Sequence, residues 1–511
     1  MIRGRVLWAT LTSWLTKVVT LGIRFFLTPF ILHRLGDTQF GLLALVGSIL
    51  GQGELFDFGI RAALTKYVAE HHSQRDFERA RHLIATSLWM YCALGLLALL
   101  LAAILAPLFP YLFNLPLSDQ TTARDVVLLT GIQIGLALPG AAPAAVLWGL
   151  HKYGQVNALI MLSTVLSAGI TIAILLAGGG LVAMVAAGIP LTIGMLALGM
   201  HLLKRAAPEL LPNIRDGRRE LVRSVLTFSG ATFVIEAAYS LQGRTNEIVI
   251  GAFLPISAVT PYSVARRLSN VPQMVAEQTV GSFLPLASEL QAEGSMDRLR
   301  LLYLVGSRIT LAVCVSLAGV LIALAGPILA LWLGAEYSRY SPIVIILTLA
   351  SVANVSHWPG GSILQGIARH HGLATAYICA AVANLGLAAL LVRPYGVFGV
   401  AVATLISSAA LSLCYIWPYV ARVLSVPLRD LLKQVFLPAL LPIVPMIAVV
   451  YGAGLVVEPT GLASTGVTAA AAFGTYSAVY FLLASNTPER QLLQTTLTSL
   501  KNAFSLRFKD L

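Results

Sequence analysis

"GLHKYGQVNALIMLSTVLSAG", residues 149–169, meets "GIARHHGLATAYICAAVANLG", residues 366–386, when the chain is slid on itself by 217 positions, and Gly149 and Gly169 then fall on Gly366 and Gly386. A slide of 222 brings "QFGLLALVGSILGQGELFDFG" (39–59) onto "PYSVARRLSNVPQMVAEQTVG" (261–281). Both slides imply one repeating unit of about 220 residues, and each unit holds six apolar runs long enough to span a bilayer. Six is an even number, so the two halves share an orientation and are expected to be related by an axis along the membrane normal, an arrangement known in secondary transporters.

The runs lie near 6–32, 40–64, 83–110, 125–149, 154–177, 181–203, 224–252, 258–284, 301–332, 341–365, 372–392, 396–420, 434–456 and 461–485. The expected fold is therefore an all-α polytopic membrane protein of about fourteen transmembrane helices: two six-helix bundles and two further helices. Composition agrees. Of 511 residues 57% are apolar and 11% charged, and the mean hydropathy is +0.83, which leaves no room for a soluble domain. The domain plan that follows is an N-terminal bundle at 1–205, a basic cytoplasmic linker at 206–223, a C-terminal bundle at 224–425, helices 13 and 14 at 434–486, and a tail at 487–511 that reads as an amphipathic helix on the membrane surface. The basic start "MIRGRVLWATLTSWLTKVV" leads into an apolar stretch with no small-residue cleavage site and reads as an uncleaved first span.

Net charge is +12, a value that in a soluble protein suggests nucleic acid. Here the distribution explains it without nucleic acid. With the N-terminus inside, loops on that side and both tails hold 23 of the 34 Lys and Arg, and the opposite loops hold only Arg34, Arg124, Arg339 and Arg393. This asymmetry predicts both termini in the cytoplasm and supports an even number of spans, in a bacterial cell membrane.

Of the twelve charges singled out within the spans, eleven lie on spans 1, 2, 7 and 8, and Arg308 is on span 9. Lys17 and Arg24 are seven apart on span 1 and share a face. Glu54, Asp57 and Arg61 fall within about 60° on span 2, with Asp57 and Arg61 at the i, i+4 spacing of an ion pair. Glu236 and Glu247 lie on one stripe of span 7, and Arg266, Asn270, Gln273 and Glu277 are on span 8. A charge at the centre of a membrane helix costs about 2.5–3.5 kcal/mol even on the lenient scale, so this concentration predicts a hydrated cavity lined by those four spans. Asp57 with Arg61 also reads as a structural pair, and Arg61 and Glu277 are near enough to helix ends to snorkel.

Other chemistry is not suggested. No "GK[ST]" occurs, which excludes a P-loop ATPase. The pairs His71–His72 and His370–His371 lie in loops with no neighbouring ligand at metal spacing, and Cys92, Cys314, Cys379 and Cys414 are unpaired in spacing within apolar segments, so neither a metal nor a cofactor is expected. A membrane glycosyltransferase or polymerase would need substantial outer loops with catalytic groups. The longest here, near 110–124, carries only Asp119 and Arg124, and the chain is not expected to be an enzyme.

"FLTPFILHRLGDTQFGLLALV" (26–46), "LFDFGIRAALTKYVAEH" (55–71) and "NEIVIGAFLPISAVTPYSVARRL" (246–268) resemble the polysaccharide transporter, O-antigen flippase-like, family of the multidrug/oligosaccharidyl-lipid/polysaccharide exporter superfamily. The resemblance covers residues 5–425. It implies a V-shaped pair of bundles that carries polyprenyl-diphosphate-linked oligosaccharide from the cytoplasmic to the outer leaflet by alternating access, with membrane lipids and polysaccharide synthesis proteins as partners. Fourteen spans look more like the lipid II flippase relatives, whose extra helices border a groove for the lipid tail and whose cavity arginines on spans 1, 2 and 8 match Arg24, Arg61 and Arg266. Lys17, Arg24, Arg61 and Arg266 are thus the substrate-binding candidates, since guanidinium groups grip phosphate bidentately. Glu54, Glu236 and Glu247 are the ion-coupling candidates. The alternatives are a lipid II flippase, a cation-coupled multidrug antiporter of the same superfamily, or a transport-dead scaffold.

Overall fold

The computed structural model describes residues 2–51, 57–113, 115–369, 371–456 and 461–483, with side chains described at all of these except 2–11, 14, 214, 228–243, 371, 456 and 483. Among the described residues every regular element is helical. Helix α1 (Ile2–Ile49) bends at Gly36, where φ is 74°, and so carries the first span and the start of the second. The second span was expected to be continuous from 40 to 64. It is broken instead: α1 stops at Ile49 and α2 (Ile60–Ser73) starts afresh, with Phe58 and Gly59 at φ values of 47° and 71°. A left-handed pair cannot propagate a right-handed helix, and "GQGELFDFG" supplies three glycines at the break.

Helices α3 (Phe77–Leu112), α4 (Leu117–Gly149) and α5 (Tyr153–Leu176) coincide with spans 3 to 5, and α6 (Leu181–Ala186) with α7 (Gly188–Ala206) forms span 6. Span 7 is α8 (Arg219–Phe253), and span 8 is α9 (Val259–Val280), followed by α10 (Phe283–Ala292). Then come α11 (Met296–Ala323), α12 (Ala325–Leu333) and α13 (Ser341–Gly366). Helix α14 (His371–Ala410) bends at Gly396 and runs through a π-helical turn, Leu411–Ile416, into α15 (Trp417–Val423). The last two spans are α16 (Leu428–Leu431), a second π turn at Leu432–Phe436, α17 (Leu437–Leu440) and α18 (Ile443–Val456), then α19 (Leu462–Leu483). Nine helical stretches among the described residues are long and apolar enough to cross a membrane, and those at Leu15–Ile49 and Gly372–Val423 each contain a bend. The chain is a multi-pass membrane protein. The tail expected as an amphipathic helix, 487–511, lies outside the described residues.

The repeat is written into the turns. After α2, the amides of Gln74, Arg75 and Asp76 donate to the carbonyls of Glu70, His72 and His71; after α10, those of Glu293, Gly294 and Ser295 donate to Glu289, Gln291 and Leu290, the same pattern 219 residues on. After α4, Leu150, His151 and Lys152 donate to Val146, Trp148 and Leu147. After α13, Ile367, Ala368 and Arg369 donate to Ile363, Gln365 and Leu364, 217 residues on. The middle residue of each turn is left-handed: Arg75 at 59°, Gly294 at 70°, His151 at 58° and Ala368 at 56°. Each closes its helix with the reverse-turn hydrogen bonds that satisfy terminal carbonyls.

The chain divides into two compact units, one comprising residues 1–263 with Ala389–Val397 and the other Val264–Ala388 with the residues after Val397. In the first unit α3 and α4 pack closely: a Cβ on Gly95 would lie 2.5 Å from the Gly135 carbonyl oxygen, so the two backbones meet where neither helix has a side chain. The core of this unit gathers Ile60, Leu64 and Val68 of α2, Leu83, Ile84 and Tyr91 of α3, Leu138 and Val146 of α4, Leu203 of α7, and also Leu210 and Val225. Leu210 shows that the basic segment 206–223 is not a free linker along its length. Its Asp216 carbonyl bonds His82 Nδ1 at 2.6 Å, and the Arg218 amide donates to Thr86 Oγ1 at 2.9 Å, which straps the segment to α3. Helix α8 follows from the strap and packs on α1, α2 and α3.

Candidate functional site

The broken second span positions the first cluster. Asp57, whose side chain is only 11% exposed, accepts a hydrogen bond from the phenol of the fully buried Tyr91 on α3. Its second oxygen accepts the backbone N–H of Arg61 at 3.4 Å, and the Arg61 Nε is 4.0 Å away. Asp57, two residues before the Gly59 N-cap, thus supplies an acceptor to a first-turn amide of α2 that has no helical partner. The Arg61 side chain remains 55% exposed. Of the pair that the sequence offered, the acid is fixed in the structure and the guanidinium is presented outward.

A second cluster forms where α8 ends and α9 begins. Gly41 of α1 approaches the carbonyl of Ile256 so closely that a Cβ would collide with it, and Thr260 donates to the Asp37 carbonyl at 2.7 Å. Asn246 Nδ2 donates to the Tyr262 hydroxyl at 2.7 Å, with both residues fully buried, and Arg244 Nη1 donates to the Gly51 carbonyl at 3.2 Å. Glu247 is fully buried beside them. Within the first unit, then, the second half of α1, α2, α8 and the first turn of α9 do come together, and they bring polar groups from spans 2, 7 and 8 with them.

Lys17 and Arg24 are exposed on α1, two turns apart, and α1 is anchored at that level by Asn157 of α5, which donates to Thr12 Oγ1 and Ser13 Oγ. Arg266 is half-buried on α9, beyond Ser263, and belongs to the second unit. Glu54 lies outside the described residues, as does the side chain of Glu236.

Among the described residues, the second unit buries one arginine and one histidine, Arg308 and His357. Arg308, the one of the singled-out charges outside spans 1, 2, 7 and 8, is 4% exposed on α11 and donates to the Gln434 carbonyl at 3.4 Å, in the π turn that begins span 13. His357 on α13 was not singled out from the sequence. It is 1% exposed, with Nδ1 2.8 Å from Ser412 Oγ and Nε2 3.1 Å from the Tyr377 hydroxyl. The Ser412 hydroxyl donates to a backbone carbonyl, of Ala353 or Ser408, so its oxygen accepts from Nδ1–H, and Nε2 accepts the Tyr377 O–H. The imidazole thus ties α13, α14 and the π turn at 411–416 together. The signal was available: a single histidine midway along "SVANVSHWPGGSIL" (351–364) is an ionisable group at membrane depth, which needs a partner. Among the described residues no group of three His, Cys, Asp or Glu is placed to hold a metal ion.

The family model described as "Polysaccharide biosynthesis protein" matches residues 6–291. The chain belongs to the polysaccharide biosynthesis protein family. Among curated relatives, a "Probable low-salt glycan biosynthesis flippase Agl15" of Haloferax volcanii is 21% identical, over 78% of this chain and 80% of its own. An "Uncharacterized membrane protein EpsK" of Bacillus subtilis is 22% identical, with 98% of each chain covered. Among solved structures, the lipid II flippase MurJ in an inward closed conformation superposes with a TM-score of 0.67 at 14% identity, covering 93% of this chain and 99% of that one. An inward-facing multidrug resistance MATE family transporter of the MOP superfamily also gives 0.67 at 14% identity, covering 80% and 94%. This member of the family therefore has the all-helical fold shared by those transporters, as the resemblance implied.

Proposed function

We propose that this family member is a flippase that moves a polyprenyl-diphosphate-linked oligosaccharide from the cytoplasmic to the outer leaflet of the cell membrane by alternating access, supplying cell-surface polysaccharide synthesis. The observation that carries this reading is the family match over residues 6–291, which takes in spans 1, 2, 7 and 8 with their charges. Coverage by the lipid II flippase structure, 93% against 80% for the multidrug transporter, supports a lipid-linked cargo, because the fold shared with the flippase takes in more of the chain.

In this reading Lys17, Arg24, Arg61 and Arg266 receive the diphosphate in turn, and the sugar stays in water while the polyprenyl tail remains in lipid beside α18 and α19. The sequence from Gln434 to Val457 carries no charge, which suits contact with acyl chains. Glu247, together with Glu54 and Glu236, is the candidate for proton or sodium coupling, since a buried carboxylate at membrane depth marks an ion pathway. Both termini are cytoplasmic, the lipid-linked glycan is the cargo, and polysaccharide synthesis proteins supply and consume it. The protein carries its substrate and does not change it covalently.

Deleting the gene and analysing lipid-linked oligosaccharides tests the proposal. One lipid-linked oligosaccharide should accumulate on the cytoplasmic leaflet, and a gene carrying Lys17→Ala, Arg24→Ala and Arg266→Ala together should not clear it. Unchanged lipid pools with altered sensitivity to cationic drugs would instead assign the chain to the antiporters.

A further inference from the structure

The first unit has a hollow at the end that carries the strap, open to its surroundings, with its α8 residues exposed and Tyr67 half-buried. It measures about 510 Å³ and is lined by Tyr67 of α2 and by Glu220, Arg223, Ser224 and Thr227 of α8. The four α8 residues stand at i, i+3, i+4 and i+7, so they share one helix face. The floor is fixed: Val225 on the other side of α8 is fully buried in the same core as Leu64 and Val68 of α2. The Lys66 ammonium lies 4.8 Å from the centre of the Tyr67 ring, adding a cation beside the hollow. Thr227 Oγ1 donates to the Arg223 carbonyl at 2.8 Å, which leaves its oxygen as an acceptor.

These groups do not make a simple phosphate pocket, because Glu220 would repel an anion. Nor do they make an apolar groove. A guanidinium, a carboxylate, two hydroxyls and one aromatic ring around a space of small-ligand size suit a ligand with an anionic part and a hydroxyl-bearing ring. Sugar diphosphates have that chemistry: the C–H face of a pyranose covers a phenol ring, its hydroxyls donate to a carboxylate, and the phosphate accepts from arginine.

We propose that the hollow is a docking site for the diphosphate-proximal sugar of a lipid-linked glycan, held there before transport, with Tyr67 beneath the sugar, Glu220 on its hydroxyls and Arg223 on the diphosphate. The proposal rests on the flippase reading. None of these residues is among the charges assigned above to the transport path, so docking and transport are separable.

The test uses the full chain in lipid nanodiscs and three probes: a polyprenyl diphosphate, the same lipid bearing one N-acetylglucosamine, and the soluble nucleotide sugar UDP-N-acetylglucosamine. Wild type should retain the sugar-bearing lipid more tightly than the bare lipid diphosphate and should not retain the soluble probe. Tyr67→Ala and Glu220→Gln should each weaken the sugar-bearing lipid about tenfold and leave the bare lipid unchanged, which also reports an intact fold. Tyr67→Trp should keep the preference, and Arg223→Ala should weaken both lipids. If the variants keep the wild-type preference while the protein still moves lipid-linked sugar, the hollow is not the docking site and the flippase reading stands. Equal retention of the soluble nucleotide sugar would assign the hollow to a free sugar diphosphate and overturn the proposal. If wild type neither binds nor moves either lipid, both readings fall.

Discussion

Replacing Asp57 and Tyr91 singly and together measures how firmly the broken second span is held. Asp57→Ala removes the acceptor of a first-turn amide of α2, worth about 1 kcal/mol, and leaves the Tyr91 hydroxyl buried without its acceptor, worth about 1–3 kcal/mol. The expected loss is about 2–4 kcal/mol. Tyr91→Phe removes one hydrogen bond to a carboxylate and should cost about 1.5–3 kcal/mol. The double variant removes both partners of the buried bond, so no phenol is orphaned and only the Arg61 amide loses its acceptor, and its cost should fall short of the sum of the singles by about 2 kcal/mol. In the Asp57→Ala background, then, Tyr91→Phe should be neutral or stabilising. Equilibrium unfolding of the purified protein in mixed micelles, titrated with a denaturing detergent and followed by near-ultraviolet circular dichroism, gives the four free energies. Additivity to within about 0.5 kcal/mol would refute the claim that the phenol and the carboxylate are coupled.

The repeated turns predict that Ala368→Gly and Arg75→Gly each stabilise the fold by about 0.5–1 kcal/mol, because a left-handed residue other than glycine costs about 1–2 kcal/mol and the added freedom of glycine in the unfolded chain offsets part of the gain; the same unfolding titration checks this, and a loss of stability would contradict the turn geometry. His357→Leu strips Tyr377 and Ser412 of a buried partner and should cost about 2–4 kcal/mol, while His357→Gln, which can both donate and accept, should cost less; equal losses would show that packing, and not the hydrogen bonds, sets the cost. Thr86→Val removes the hydroxyl that accepts from the Arg218 amide, so limited trypsin digestion should cut after Arg215, Arg218 or Arg219 several times faster than in wild type, and an unchanged digestion rate would mean that the His82–Asp216 bond and the Leu210 core contacts hold the strap without it.

The membrane class, the two-fold repeat and the helix order were legible because each rests on local information: runs of apolar residues, short breaks, and two self-alignments, of which the slide of 217 reappears as a pair of turns with the same hydrogen bonds 217 residues apart. The break in span 2 was not legible. Its hydropathy is continuous enough to suggest one helix, and only the dihedral angles of Phe58 and Gly59 show that the chain restarts. The charges were legible as a set and less so as individuals. Asp57 and Arg61 have the spacing of an ion pair, but no sequence rule reveals that Tyr91, thirty-four residues on, takes the other carboxylate oxygen. His357 was missed for the opposite reason, since it stood alone and its partners, Tyr377 and Ser412, are hydroxyl residues of the kind found throughout the apolar spans.

Repeat halves and compact units answer to different physics, which bears on which part of the molecule can move as one body. A repeat shows itself in helix ends, where hydrogen bonds join residues four or five apart and so follow local sequence. A compact unit follows buried faces. Helix α8 opens the second repeat half by sequence, yet Val225 is in the core of the first unit, Asn246 and Tyr262 are bonded there, and the strap that precedes it is tied to α3 at both His82 and Thr86. Separating α8 from the first unit would cost the buried Asn246–Tyr262 hydrogen bond and the bond from the Arg218 amide to Thr86 Oγ1, at about 1–3 kcal/mol for each bond lost, in addition to the apolar surface uncovered around Val225. A transport cycle that keeps those groups satisfied must carry α8 with α1, α2 and α3, and the backbone freedom that alternating access requires then has to come from beyond the Tyr262 contact or from the break between α1 and α2.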